Sequence, residues 1–191
     1  MLLIAEMLRL LGFPRRALAL LLQWRCGLRP GELLQFRGGD ISFDPHGTSV
    51  VRLGLRRGTK TRRRAAIRIG LDDWRTCIVL AKVQATVAFG EPVCDFKRTV
   101  DMTKAIHLAC ARLNWPLAWT AHCPRAGWAT ALWVAGTPFA ELQEMGRWSS
   151  ASTLRVYLDF VAAADCLQSP PYCYFHEVMT YLDATFNVRW A

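Results

Sequence analysis

Residues that favour extended chain are confined to one short tract of this sequence, between positions 41 and 69, and helix-like patterning broken by Gly and Pro fills both sides of it. Within the tract, ISFD, TSVVRLGL and RRRAAIRI are rich in β-branched and apolar residues, and the turn segments PHG and RRGTKT separate them. Three short strands in a small antiparallel sheet are predicted. Antiparallel neighbours need only tight turns, so such a sheet can form from this tract alone and leaves the rest of the chain to build a helical core. The expected class is α+β, mainly helical. With 191 residues, 52% of them hydrophobic, there is enough apolar surface for one well-buried domain.

Punctuation divides the helical part. Residues 1 to 11 and 14 to 26 read as two amphipathic helices, with Pro14 opening the second and Gly27 placed where a helix end takes a left-handed residue. Pro30 opens a third, PGELLQFR, which Gly38 and Gly39 stop, and Asp40 leads into the first strand. After the strands, Asp72 is expected to cap a helix running to Val87, and Asp101 a helix reaching Leu113. Three more are predicted, His122 to Val134, Pro138 to Met145 and Ser149 to Ala164, with Gly136 and Gly146 between them. QSPPYC then breaks the chain. Phe175, Val178, Met179 and Leu182 follow at i, i+3, i+4, i+7, the apolar stripe of a last helix. This places a domain at 1–169 and a C-terminal helical segment at 170–191, packed on its own domain or exchanged between subunits.

Charge narrows the partner. Lys and Arg number 24 against 15 Asp and Glu, a formal net charge of +9, which favours a polyanion. The excess is local: Arg52, Arg56, Arg57, Lys60, Arg62, Arg63, Arg64, Arg68 and Arg75 lie close together, opposed there by Asp72 and Asp73. No aromatic residue stands between Arg52 and Arg68 to stack on single-stranded bases, which disfavours an RNA-binding module. Glu6, Arg9 and Pro14 interrupt the apolar start, and no uncharged run reaches membrane-spanning length, so no membrane is expected as a partner. The seven cysteines are odd in number and form no C-x-x-C pair, consistent with a reducing, intracellular compartment rather than a disulfide framework or zinc ribbon.

Several residues have chemical potential, though each alone has an ordinary reading. His122 and Arg125 are three apart at a helix start and are expected to share a face. Tyr157 stands mid-helix, where a tyrosine usually packs its ring and exposes its hydroxyl. Arg29 lies between a helix-ending Gly27 and a helix-starting Pro30, with Glu32 three residues on to brace it. Lys60 is one cation among many in RRGTKTRRR, and most of these side chains are expected to meet phosphate or water.

Taken jointly, these stretches resemble the catalytic domain of the tyrosine recombinases, the phage-integrase family of DNA breaking-rejoining enzymes. The resemblance runs from about Leu22 to Asp159. CGLRPGELLQFRGGDI is similar to the family's first arginine box, GTKTRRRAAIRI to its lysine-bearing hairpin and HCPRAGWATAL to its His-x-x-Arg box. GRWSSASTLRVY is similar to its last box, with Trp148 nine residues before Tyr157. The resemblance implies Tyr157 as nucleophile on the scissile phosphate, Arg29 and Arg125 as clamps on the non-bridging oxygens, and Lys60 as acid for the departing 5′-oxygen. It further implies His122 in proton transfer at Tyr157, Trp148 seating the phosphate and the tyrosine helix, and Glu32 in support. Arg56, Arg57, Arg62, Arg63 and Arg64 are the expected DNA contacts. Double-stranded DNA and a homotetramer assembled on it are the implied partners, and no metal or cofactor is implied. Gly-Arg-Trp and Ala126 resemble the wording of eukaryotic DIRS-type retroelement recombinases. The family's N-terminal clamp domain has no room here, so an isolated catalytic domain or a fragment is expected. A silent DNA-binding domain of mobile-element origin and a type IB topoisomerase are the alternatives.

Overall fold

The computed structural model describes residues 1–43, 49–53, 65–69, 73–158, 182, 184 and 185. In chain order the elements are α1 (Leu2–Leu10), α2 (Pro14–Arg25), α3 (Pro30–Gln35), a 3-10 turn (Gly38–Asp40), and strands β1 (Ile41–Phe43), β2 (Ser49–Leu53) and β3 (Ala65–Ile69). They are followed by α4 (Trp74–Thr86), α5 (Thr99–Arg112), α6 (Cys123–Val134), α7 (Phe139–Met145) and α8 (Ala151–Leu158). No helix among the described residues is long and apolar enough to cross a membrane.

The sequence PRRALALLLQWR makes α2 the centre. A helix that is apolar on nearly every side must be surrounded, and α1, α4 and α6 all pack on it. Leu20, Leu21 and Leu22, three successive residues, have no exposed surface. Gln23, equally buried, donates from Nε2 to the Ala121 carbonyl at 2.8 Å, which ties α2 to the residue before His122. The main core joins residues of α1 to α5. A second, smaller cluster of Ala129, Leu142, Trp148, Leu154 and Leu158 joins α6, α7 and α8, with Trp128, Leu132 and Phe139 around it.

The strands pair antiparallel in the order β1-β2-β3, with Ile41 opposite Val51 and Val51 opposite Ile67. The segment between β2 and β3, with Arg56, Arg57, Lys60, Arg62, Arg63 and Arg64, lies outside the described residues.

The starts of α6 and α7 fall one residue later than expected, at Cys123 and Phe139, and three other starts differ in cap or position. The cap of α4 is Asp73, whose carboxylate accepts from the Thr76 N–H at 3.2 Å and from the Thr76 hydroxyl, while Asp72 lies outside the described residues. Two adjacent acids carry the same sequence signal, and only the position three before a satisfied N–H tells them apart. Asp101 is inside α5: its carboxylate reaches back to the Arg98 N–H at 2.9 Å, so the helix begins at Thr99. The last described helix starts at Ala151 rather than Ser149, and its expected run to Ala164 passes beyond the described residues. Within 170–191, Leu182 is described, 7% exposed and part of the main core.

Candidate active site

Two helix C-termini converge on one side chain. At the end of α2, Leu28 N–H bonds the Gln23 carbonyl at 3.0 Å and Gly27 takes φ 58°. At the end of α7, Arg147 N–H bonds Glu144 at 2.9 Å and Trp148 N–H bonds Gln143 at 3.0 Å, with Arg147 at φ 57°. The second is a full Schellman end, the first shares its long 6→1 bond and left-handed residue, and both turn a carbonyl toward Arg125. Arg125 donates from Nη1 to Gly27 and from Nη2 to Gly146, is 1% exposed, and lies 4.1 Å from the Trp148 ring centroid. The negative ends of two helix dipoles and an aromatic face thus receive a cation that burial alone would expel.

Arg29 precedes α3 in extended conformation, which suits a residue before proline. Glu32 braces it twice, accepting the Arg29 N–H at 2.7 Å and Nη1 at 3.0 Å. The other terminal nitrogen, Nη2, donates to the Arg147 carbonyl. Consecutive carbonyls, those of Gly146 and Arg147, therefore hold the two arginines that stand far apart in sequence. Arg29 keeps 30% of its side chain exposed, while Arg125 is covered.

Arg147 itself was not a sequence candidate. Its Nη2 donates to Glu32 at 2.8 Å, and its side chain is 19% exposed. Gly146, expected to punctuate the two helices, has φ −80°, and Arg147 after it occupies the left-handed conformation. Gly146 is needed for space, since a Cβ there would fall 1.6 Å from the Trp148 ring. The available signal was an arginine directly after a helix-ending glycine. Three guanidinium groups against one carboxylate leave this cluster with a net positive charge, the electrostatic condition for binding a phosphodiester.

His122 precedes the first residue of α6 and is solvent-exposed, with Arg125 one turn on. The two differ in exposure, yet remain near enough for the Arg125 charge to act on the imidazole. Positions three apart diverge by about 60° around a helix, enough for one to meet solvent and the other the core. Desolvation, and then the charge of Arg125, holds the His122 imidazole below its ordinary pKa. Both effects favour the neutral imidazole, the form able to accept a proton.

Trp148 is 7% exposed and stacks on Trp128, ring centroids 6.2 Å apart. Because it shares a cluster with Leu154 and Leu158, it forms the base on which α8 rests. Tyr157 lies in that helix, between those two anchors. Lys60 lies outside the described residues. Among the described residues, no group of three or more His, Cys, Asp or Glu side chains converges as metal ligands would.

A sequence profile of the phage integrase family matches residues 4–163. No curated protein matches this chain. Among solved structures, the XerH site-specific recombinase bound to difH substrate, a pre-cleavage complex, is similar with a TM-score of 0.56 and 16% identity, over 81% of this chain and 46% of that one. The chain thus spans about half the length of that recombinase, and the likeness is one of fold.

Proposed function

This chain belongs to the phage integrase family, the tyrosine recombinases, and from that premise we propose that it cuts and rejoins DNA strands through a covalent phosphotyrosyl link at Tyr157. The observation that carries the reading is the pair of arginines held on adjacent carbonyls, in a net-positive cluster beside the helix that bears Tyr157.

The phenolic oxygen of Tyr157 attacks phosphorus, the bond to the 5′-oxygen breaks, and a 3′-phosphotyrosyl ester remains with a free 5′-hydroxyl. Rejoining reverses these bonds, so no nucleotide triphosphate is consumed. A free tyrosine titrates near ~10 and is a poor nucleophile at neutral pH, which gives His122 its task of taking the phenolic proton. Lys60 supplies the proton to the leaving oxygen. Arg29 is the arginine that a phosphate meets first, given its exposure. Arg125 fixes the two helix ends through the Gly27 and Gly146 carbonyls and adds positive field for the phosphate, clamping it with Arg29 through in-plane N–H groups rather than through the face that Trp148 covers. Arg56, Arg57, Arg62, Arg63 and Arg64 engage the backbone of double-stranded DNA. Residues 1–169 form the catalytic domain, which works as a tetramer on two duplexes, and 170–191 is the segment that packs in cis or joins subunits. The buried position of Leu182 supports packing in cis.

A nicked duplex that releases its short strand on cleavage will trap the adduct, and peptide mapping is expected to place the DNA on Tyr157. An adduct on Tyr172 or Tyr174 overturns the nucleophile. No adduct, with DNA binding retained, identifies a silent DNA-binding domain, and relaxation of supercoils by the monomer identifies a topoisomerase.

The lowered pKa of His122 also predicts the acid limb of single-turnover cleavage. As the acting base, the imidazole must be neutral, so the rate should hold down to a pH below the ordinary imidazole value and fall only there. In His122→Gln that limb should vanish along with most of the rate. The stability effect has a matching sign: the folded state binds the proton less readily than the unfolded one, so protonation below the ordinary value disfavours folding. A limb above the ordinary imidazole value would contradict the assignment.

A further inference from the structure

We propose that Arg147 is a positioning residue of the phosphate site, holding the Arg29 guanidinium from both sides, through Glu32 with its side chain and directly with its carbonyl. The inference rests on the strand-cleavage reading and adds a residue to it.

Its placement is unfavourable in three ways. The left-handed conformation, φ 57°, is one that glycine adopts freely and an arginine does not. The guanidinium is mostly enclosed, and its desolvation lowers the pKa from the ordinary arginine value. Its Nε is buried with no hydrogen-bond partner among the described residues. A glycine would relieve all of these while preserving the helix end, because the Schellman bonds to Glu144 and Gln143 use backbone atoms.

The side chain's contacts explain its presence. Nη1 reaches the Met145 carbonyl of its own turn at 3.3 Å, whereas Nη2 crosses to Glu32 Oε2 at 2.8 Å. Glu32 Oε1 in turn accepts Arg29 Nη1 at 3.0 Å, and Arg29 Nη2 returns to the Arg147 carbonyl. The circuit closes: guanidinium, carboxylate, guanidinium, carbonyl. With both terminal nitrogens engaged, the plane of Arg29 is fixed before any DNA arrives. Charge gives a second reason. Arg29 with Glu32 alone is neutral as a pair and attracts a phosphodiester weakly, but the added cation restores a net positive charge without removing the brace.

The test compares Arg147→Gly and Arg147→Lys with the wild type, using thermal midpoint, single-turnover cleavage of the nicked duplex and affinity for a short duplex. Arg147→Gly is expected to keep or raise the midpoint while cleavage drops on the order of tenfold to a hundredfold, the scale of a misplaced clamp. Arg147→Lys keeps the charge but lacks the fork, so it should recover duplex affinity and leave cleavage impaired. With Glu32→Gln present, the further loss from Arg147→Gly should shrink, since both act on Arg29. Cleavage and affinity unchanged in Arg147→Gly, losses that track a falling midpoint, or full additivity with Glu32→Gln would each overturn the proposal. If the wild type binds the duplex but forms no adduct, the strand-cleavage reading fails, and the positioning role is then decided by affinity: roughly tenfold weaker binding in Arg147→Gly that shrinks when Glu32→Gln is present supports it, and equal binding or full additivity overturns it.

Discussion

Arg125→Ala is expected to lower the unfolding midpoint by about 10 °C and to remove nearly all cleavage. Truncation leaves the buried carbonyls of Gly27 and Gly146 without their donor, at about 1–3 kcal/mol for each group left unsatisfied. It also ends the stacking of the guanidinium on Trp148, which adds roughly 1–2 kcal/mol for a desolvated cation, and leaves a void between α2, α6 and α7. Even with partial relaxation the sum is on the order of 3–5 kcal/mol, a large share of a domain's whole stability. At roughly 2–4 °C per kcal/mol for a chain of this size, the midpoint shift follows. Cleavage should fall at least on the order of 10²–10³, the scale of losing one preorganised donor. Arg125→Met separates the causes: it fills most of the volume, so it should recover the packing share of the midpoint and none of the rate. Denaturant titration and single-turnover cleavage below the midpoint read both quantities. An unchanged midpoint in Arg125→Ala would show that its bonds to the two helix ends contribute nothing.

What the sequence made legible was local. Pro14, Gly27 and Pro30 act on their own backbone, so the ends of α2 and the start of α3 could be read directly from the letters, and the Glu32 brace spans only three residues. Resemblance to a known order of boxes brought Arg29, His122, Arg125, Trp148 and Tyr157 into one hypothesis that no single residue supported. The rest depended on distant partners. Arg125 was expected to share a face with His122, but what receives it is the pair of carbonyls just past the ends of α2 and α7, visible only once those helices meet. Arg147 was hidden for a related reason: its left-handed backbone follows from Trp148 folding back over Gly146, a crowding that motif spacing does not express. Adjacent Asp72 and Asp73 were indistinguishable as caps, since the choice between them is a matter of register rather than residue type.

Gly27→Ala should be far more damaging than Gly12→Ala, although both glycines adopt the left-handed conformation after a helix, φ 58° and 84°. At Gly12 nothing lies within 4 Å of an added Cβ, so the cost is the backbone strain alone, on the order of 1–2 kcal/mol. At Gly27 the same Cβ would meet the Trp128 ring at 2.6 Å, and overpacking adds about 1–3 kcal/mol more. The ring has little freedom to yield, because it is stacked on Trp148, which in turn covers Arg125. The Gly27 carbonyl is itself a partner of Arg125, so the displacement reaches the guanidinium by two routes. Cleavage should accordingly fall in Gly27→Ala by more than its stability loss explains, and stay near wild type in Gly12→Ala when both are assayed well below their midpoints. Removing the obstruction tests the route: Trp128→Leu combined with Gly27→Ala should lose less stability than the two single losses added together, since the ring that clashes is already gone. Equal destabilisation by the two alanines, or strict additivity in the double variant, would mean that the Trp128 contact does not couple the end of α2 to the site.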